Sequence, residues 1–139
     1  MKHFMTLAGI AVLLLVGGCA TPPAARAPEP RIIVIRNSTG RDLQSVSLGT
    51  IPTRAGASRR IGSLAPVPSG ASSTVVRPPA APPLPTECEL RWTNAMDETF
   101  SLKIGLKDVI NHANGQPSEA LVFEIRADGS VLVFLERNK

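Results

Sequence analysis

The chain has 139 residues, with 15 Lys and Arg against 11 Asp and Glu, a formal charge of +4, and two cysteines. That is the length of one small domain. The positive balance is slight and the arginines are dispersed, with only Arg59 and Arg60 adjacent, so the electrostatic footprint of a nucleic-acid binder is missing.

The chain opens with Met1-Lys2-His3, a short basic start, followed by an apolar stretch over residues 4–16 and then Val16-Gly17-Gly18-Cys19. A membrane-crossing helix needs roughly 20 apolar residues, and here Gly17, Gly18, Pro22 and Pro23 interrupt the stretch. The pattern is that of an export signal with small residues at its cleavage site. Small residues closing on a cysteine resemble the lipobox of bacterial lipoproteins, although Val16 stands where that family usually has Leu. The resemblance implies that residues 1–18 are removed and that Cys19 becomes the lipidated first residue, anchoring the protein in a membrane. It also implies the periplasmic face of the outer membrane, because Ala20 occupies the position where an Asp commonly retains such proteins at the inner membrane. Two or more acyl chains, each contributing about 0.8 kcal/mol per buried methylene, make such an anchor stable. An ordinary secretory peptide cut near Ala20 is the competing reading.

Residues 19–30 form a linker in which four prolines alternate with alanine and arginine. Such a composition favours extended polyproline-like conformers, and ten residues at about 3.1 Å each give a reach of roughly 30 Å. From residue 31 to 139 the hydrophobic period is close to two and no convincing amphipathic helix is found, which predicts an all-β domain. Residues 32–36 are a β-branched run expected to be covered on both faces, and Asn37-Ser38-Thr39-Gly40 reads as a turn. Strands are expected over 43–48, 59–64 and 72–77. Pro78 to Pro85 holds five prolines in eight residues, which cannot serve an interior ladder.

The clearest pair of strands follows. Over 87–94, Cys88, Leu90 and Trp92 share one face, and over 99–107, Phe100, Leu102, Ile104 and Leu106 share another, with Ser101 and Lys103 on the wet side. Residues 108–118 read as a polar loop. Residues 120–126 and 131–136 flank an Asp128-Gly129 turn, a hairpin signature. Six to eight short strands predict a small antiparallel two-sheet β-sandwich, similar in spacing to immunoglobulin-like and fibronectin-type modules. A small β-barrel is the second architecture the pattern admits.

Little in the domain speaks of chemistry. With Cys19 lipidated, Cys88 is the one thiol left, and its alternation places it in the core as a small hydrophobe, with a bridge between two chains as the alternative. His112 is the domain's one histidine, too few ligands for a transition-metal site, so no metal, cofactor or catalytic residue is assigned. Glu87, Glu89 and Glu119 are read as ordinary surface charge, and Trp92, Phe100, Phe123 and Phe134 as core. The expectation is a non-enzymatic interaction module, an accessory part of an envelope assembly or secretion complex. Its contact loops are expected at 37–42, 94–98 and 108–118, with an envelope protein and the membrane as partners and no nucleic acid. The alternative from another class is a periplasmic hydrolase or enzyme inhibitor working through His112 and the 108–118 loop.

Overall fold

A computed structural model describes residues 28–52 and 56–137. Cys19, the signal segment and most of the expected linker lie outside the described residues. Eight strands follow in order: β1 (Ile32–Ser38), β2 (Leu43–Thr50), β3 (Arg60–Leu64), β4 (Ser72–Val76), β5 (Glu87–Asn94), β6 (Thr99–Gly105), β7 (Glu119–Arg126) and β8 (Val131–Arg137). They form two four-stranded sheets, ordered β4-β1-β7-β8 and β3-β2-β5-β6, that pack face to face as a β-sandwich.

Alternation builds the core. Ile33 and Ile35 of β1 and Leu121, Phe123 and Ile125 of β7 point inward from one sheet; Val46, Leu48, Cys88, Leu90 and Trp92 meet them from the other. Each such side chain contributes about 1.5–3 kcal/mol when taken fully out of water. The β-branched run of β1 also has its outward residues Ile32 and Val34 half-buried. On that outer face the Arg36 guanidinium lies 5.8 Å from the centre of the Phe134 ring and pairs with Glu136 at 3.0 Å.

Five details depart from the sequence reading, the first being that Phe134, expected in the core, stands on the outer face beside Arg36. The sandwich is mixed, because β1 runs parallel to β7 from Ile32↔Ala120 to Ser38↔Arg126 while every other strand pair is antiparallel. The expected 108–118 loop begins with a short helix, α1 (Lys107–Ile110). Phe100 and Leu102 stand on the inner-face register, opposite Trp92 and Leu90, yet are 41% and 38% exposed. They belong to an edge strand that sheet β4-β1-β7-β8 does not cover, so they are not core. Glu119, read as surface charge, is completely buried at the start of β7.

Strand directions sort the connections into two poles. The ends of β1, β5 and β7 and the loop joining β3 to β4 gather at one pole, where Leu43 bridges Val67. The chain enters at the other pole, which also holds the proline-rich segment after β4 and the 106–118 connection. Ordered contacts begin before β1. Buried Pro30 and half-buried Glu29 meet the Arg77 guanidinium, which donates to the Glu29 carboxylate (3.3 Å), to the Pro30 carbonyl (3.3 Å) and to the Pro82 carbonyl. Pro28 lies against Gly115, where an added Cβ would come within 2.4 Å of the proline ring.

Candidate functional site

The pole opposite the incoming chain carries a cleft of about 450 Å³. Loops 37–42, 94–98 and 126–129 form its walls, so the structure brings two of the three expected contact loops together. The third, 108–118, belongs to the other pole.

Asn37 shapes one wall. An asparagine closing an apolar run and followed by Thr39-Gly40 is a turn-forming pattern, and here the side chain is fully buried at the end of β1. Its Nδ2 donates to the Arg41 carbonyl (2.7 Å) and the Val67 carbonyl (2.9 Å), and its Oδ1 accepts from the Thr39 backbone N–H (3.1 Å) and hydroxyl (2.7 Å). One amide thereby satisfies groups in two loops, and Gly40 supplies the positive φ that completes the turn. Asn94 does the same for the β5–β6 hairpin. Its Oδ1 accepts from the Met96 and Glu98 backbone N–H groups, and its Nδ2 donates to the Glu98 carboxylate at 2.7 Å. Asp97 sits at φ 60° at the tip, a left-handed conformation that Asp tolerates better than most residues.

The floor is apolar. Leu43 and Trp92 lie beneath, and Phe100 stacks on Trp92 with ring centres 5.6 Å apart and planes inclined by 16°. Offset stacks of this kind contribute about 0.5–1.5 kcal/mol beyond area burial. The rim is charged. Arg41 and Arg126 are exposed there, Arg41 donating to the Met96 sulfur at 3.6 Å and Arg126 approaching Glu124 at 3.9 Å. Among the described residues Arg41 has no carboxylate partner. The Asp128 carboxylate accepts from the Ser130 hydroxyl (2.6 Å) and backbone N–H (2.9 Å); these bonds, the hydroxyl first, hold its pKa below the usual value. The cleft thus offers an apolar aromatic floor and, among the described residues, guanidinium donors without tight carboxylate partners, with exposed Met96 beside Arg41 at the rim. Such a composition is enriched where proteins bind proteins.

The residues weighed for chemistry are dispersed. Cys88 is a free thiol, completely buried, and burial pushes its pKa up to about 12, so it stays protonated at neutral pH. His112 is exposed, with Nδ1 2.6 Å from the Asp108 carbonyl oxygen one helical turn earlier. Glu89 is held below the usual carboxylate range, first by the Ser101 hydroxyl and then by Arg91 and Lys103 around it. Glu119 is a staple: its Oε2 accepts from the Asn114 (2.9 Å) and Gly115 (3.1 Å) backbone N–H groups, while Oε1 accepts from Arg137 Nε at 3.3 Å. No cluster of three or more His, Cys, Asp or Glu residues with the spacing of a metal site occurs among the described residues, and none of their helices is long and apolar enough to cross a membrane.

No protein-family model matches this chain, and no curated protein matches it. Among solved structures, the NMR structure of a protein from Eubacterium rectale aligns with a TM-score of 0.45 and 13% sequence identity, covering 80% of this chain and 92% of that one.

Proposed function

We propose that the protein is a lipid-anchored cell-envelope component, tethered through Cys19 at the periplasmic face of the outer membrane, whose β-sandwich acts by binding another envelope protein. The lipobox-like sequence ending at Cys19 supports the anchor. The observation that carries the binding role is the cleft framed by loops 37–42, 94–98 and 126–129, at the pole opposite the one from which the chain reaches the membrane. With the tether fastened at one end of the strands by Arg77 and the cleft at the other, binding and anchoring do not compete for surface. The exposed guanidinium groups of Arg41, which has no carboxylate partner among the described residues, and Arg126, whose contact with Glu124 is long at 3.9 Å, favour an acidic or carboxylate-bearing segment of the partner.

Two measurements test this reading. Replacing Cys19 with Ser should abolish incorporation of radioactive fatty acid and release the protein from membranes; unchanged labelling and partitioning would refute the anchor. Crosslinked membranes should yield one co-purifying envelope protein that is lost in the Arg41→Ala/Arg126→Ala double variant. Equal recovery with that variant would remove the cleft from the binding role. If His112→Ala destroyed an activity while leaving the fold unchanged, the hydrolase alternative would replace the binding module.

A further inference from the structure

A sandwich of two open sheets has four edge strands, and these are guarded to different degrees. At one margin β3 and β4 lie beside each other, each only five residues long, and the pairing of β3 is broken by a register shift at Leu48/Gly49. At the other margin the four-residue α1 touches part of β8. The remaining edge, β6, is seven residues long, pairs with β5 without a bulge, contains no proline, and has no neighbour on its outer side among the described residues. Short strands, bulges, prolines, charged side chains and covering helices are how proteins blunt strand edges, and an edge with few of them is a template for another strand; β6 carries one, Lys103. Of the five large exposed hydrophobic residues among the described residues, three, Met96, Phe100 and Leu102, sit on the β5–β6 hairpin.

The free hydrogen-bonding groups on β6 can be identified. The Asn94 N–H bonds the Glu98 carbonyl and the Leu106 N–H bonds the Thr86 carbonyl. Bonds therefore run between β5 and the even-numbered residues of β6, because backbone groups alternate sides along a strand. Thr99, Ser101, Lys103 and Gly105 consequently direct their N–H and C=O groups outward.

We propose that β6 is a dimerisation edge, on which two copies of this chain pair antiparallel about Leu102 to join their sheets into one of eight strands. The sequence of β6 is self-complementary about that centre. Phe100 would face Ile104 of the second copy and Leu102 would face Leu102, so the half-exposed inner-face residues cover one another. Ser101 would face Lys103, so the two Lys103 ammonium groups never stand opposite each other, an arrangement that like charges would oppose. The outward groups of Ser101 and Lys103 then form the closely spaced hydrogen-bonded pairs, and the two Leu102 residues meet as a non-hydrogen-bonded pair with Cα atoms about 4.5 Å apart. This pairing rests on the strand edge and not on the anchor, and it shares Phe100 with the floor of the cleft.

That register makes the test specific, since a Cα separation of this size is within disulfide reach. Full-length protein purified in detergent is the sample, and the unsubstituted chain controls for Cys19 and the buried Cys88. Leu102→Cys should convert to a disulfide-linked dimer on oxidation with copper phenanthroline. Lys103→Cys alone should not, whereas a mixture of Ser101→Cys and Lys103→Cys chains should. Leu102→Glu should halve the protein mass measured by light scattering and keep the β-type circular dichroism spectrum. Absence of a Leu102→Cys dimer, equal crosslinking by Lys103→Cys alone, or an unsubstituted protein that is monomeric while capturing a heterologous extended peptide on β6 would each overturn the proposal. Failure here leaves the Cys19 labelling and the cleft experiment untouched, so the two readings fail separately.

Discussion

The Glu29 carboxylate meets the Arg77 guanidinium at 3.3 Å, with both side chains largely withdrawn from solvent at 15% and 8% exposure. Glu29 also accepts the Leu84 backbone N–H at 3.1 Å, so one carboxylate ties the incoming chain to the proline-rich segment and to the end of β4. Breaking a buried pair by removing one partner costs about 3–5 kcal/mol, and because Glu29 keeps the Leu84 N–H the loss of Arg77 belongs at the lower end, about 3 kcal/mol. Arg77→Ala should lower the denaturant midpoint accordingly and open the backbone near residue 30 to limited proteolysis. Arg77→Lys should recover little, because an ammonium lacks the planar fork that reaches Glu29, Pro30 and Pro82 together.

Cys88 gives a pH dependence with a defined sign. Its thiol is raised from 9.0 to about 12 in the folded protein. Between those values the unfolded chain has lost a proton that the folded chain keeps, so stability is undiminished below pH 9 and falls as pH rises above it. The slope approaches about 1.4 kcal/mol per pH unit. Chemical denaturation at several pH values should show this slope, and Cys88→Ala should remove its share. Identical curves for the two proteins above pH 9 would contradict a raised thiol.

Asn37 is expected to be the most demanding polar position at the cleft. Both amide hydrogens are given to carbonyls of different loops. Asn37→Asp would set carboxylate oxygen against the Arg41 and Val67 carbonyls, whereas Asn37→Ala would take one donor from each, leaving the Arg41 carbonyl the Thr39 hydroxyl and the Val67 carbonyl the Leu43 N–H. Each hydrogen bond lost in this way costs about 0.5–1.5 kcal/mol. Denaturation should therefore rank the proteins with asparagine most stable, then alanine, then aspartate, and an aspartate variant as stable as the parent would contradict the assigned donors.

Glu119→Gln keeps the shape of the staple while removing its charge. It should destabilise by about 2 kcal/mol through weaker bonds to the Asn114 and Gly115 N–H groups and the loss of Arg137. Hydrogen exchange should locate the effect, with the amides of Asn114 and Gly115 exchanging faster and those of β5 unchanged. Acceleration spread evenly over the domain would mean that the carboxylate does not act locally.

Much of the sandwich was legible because its pattern is local. Cys88, Leu90 and Trp92 alternate with polar neighbours, and all three are buried. Asp128-Gly129 is a turn, with Gly129 at φ 78°. The parallel pairing of β1 with β7 was not legible, because register between strands so distant in sequence leaves no local mark. Phe100 and Leu102 follow the same alternation as Leu90 yet are half-exposed, since alternation reports which face a residue takes and not whether another sheet lies above it. Asn37, Arg77 and Glu119 were missed as buried groups for a common reason. Each is polar at a strand end, where loop backbone supplies the partners that make burial tolerable, and sequence does not show which loop arrives there. Two of the cleft's three loops were expected as contact surfaces, whereas their convergence with 126–129 depends on strand direction.

The central position of β1 has a mechanical meaning. If the membrane holds the chain at its N-terminal side and a partner holds the opposite pole, tension runs along β1. That strand is flanked by β4 on one side and β7 on the other. The load then falls on two ladders at once and acts along the strands, so their hydrogen bonds must yield together. An edge strand pulled in the same direction would load one ladder instead of two. The incoming chain thus leads into a strand that is released only when two ladders give way.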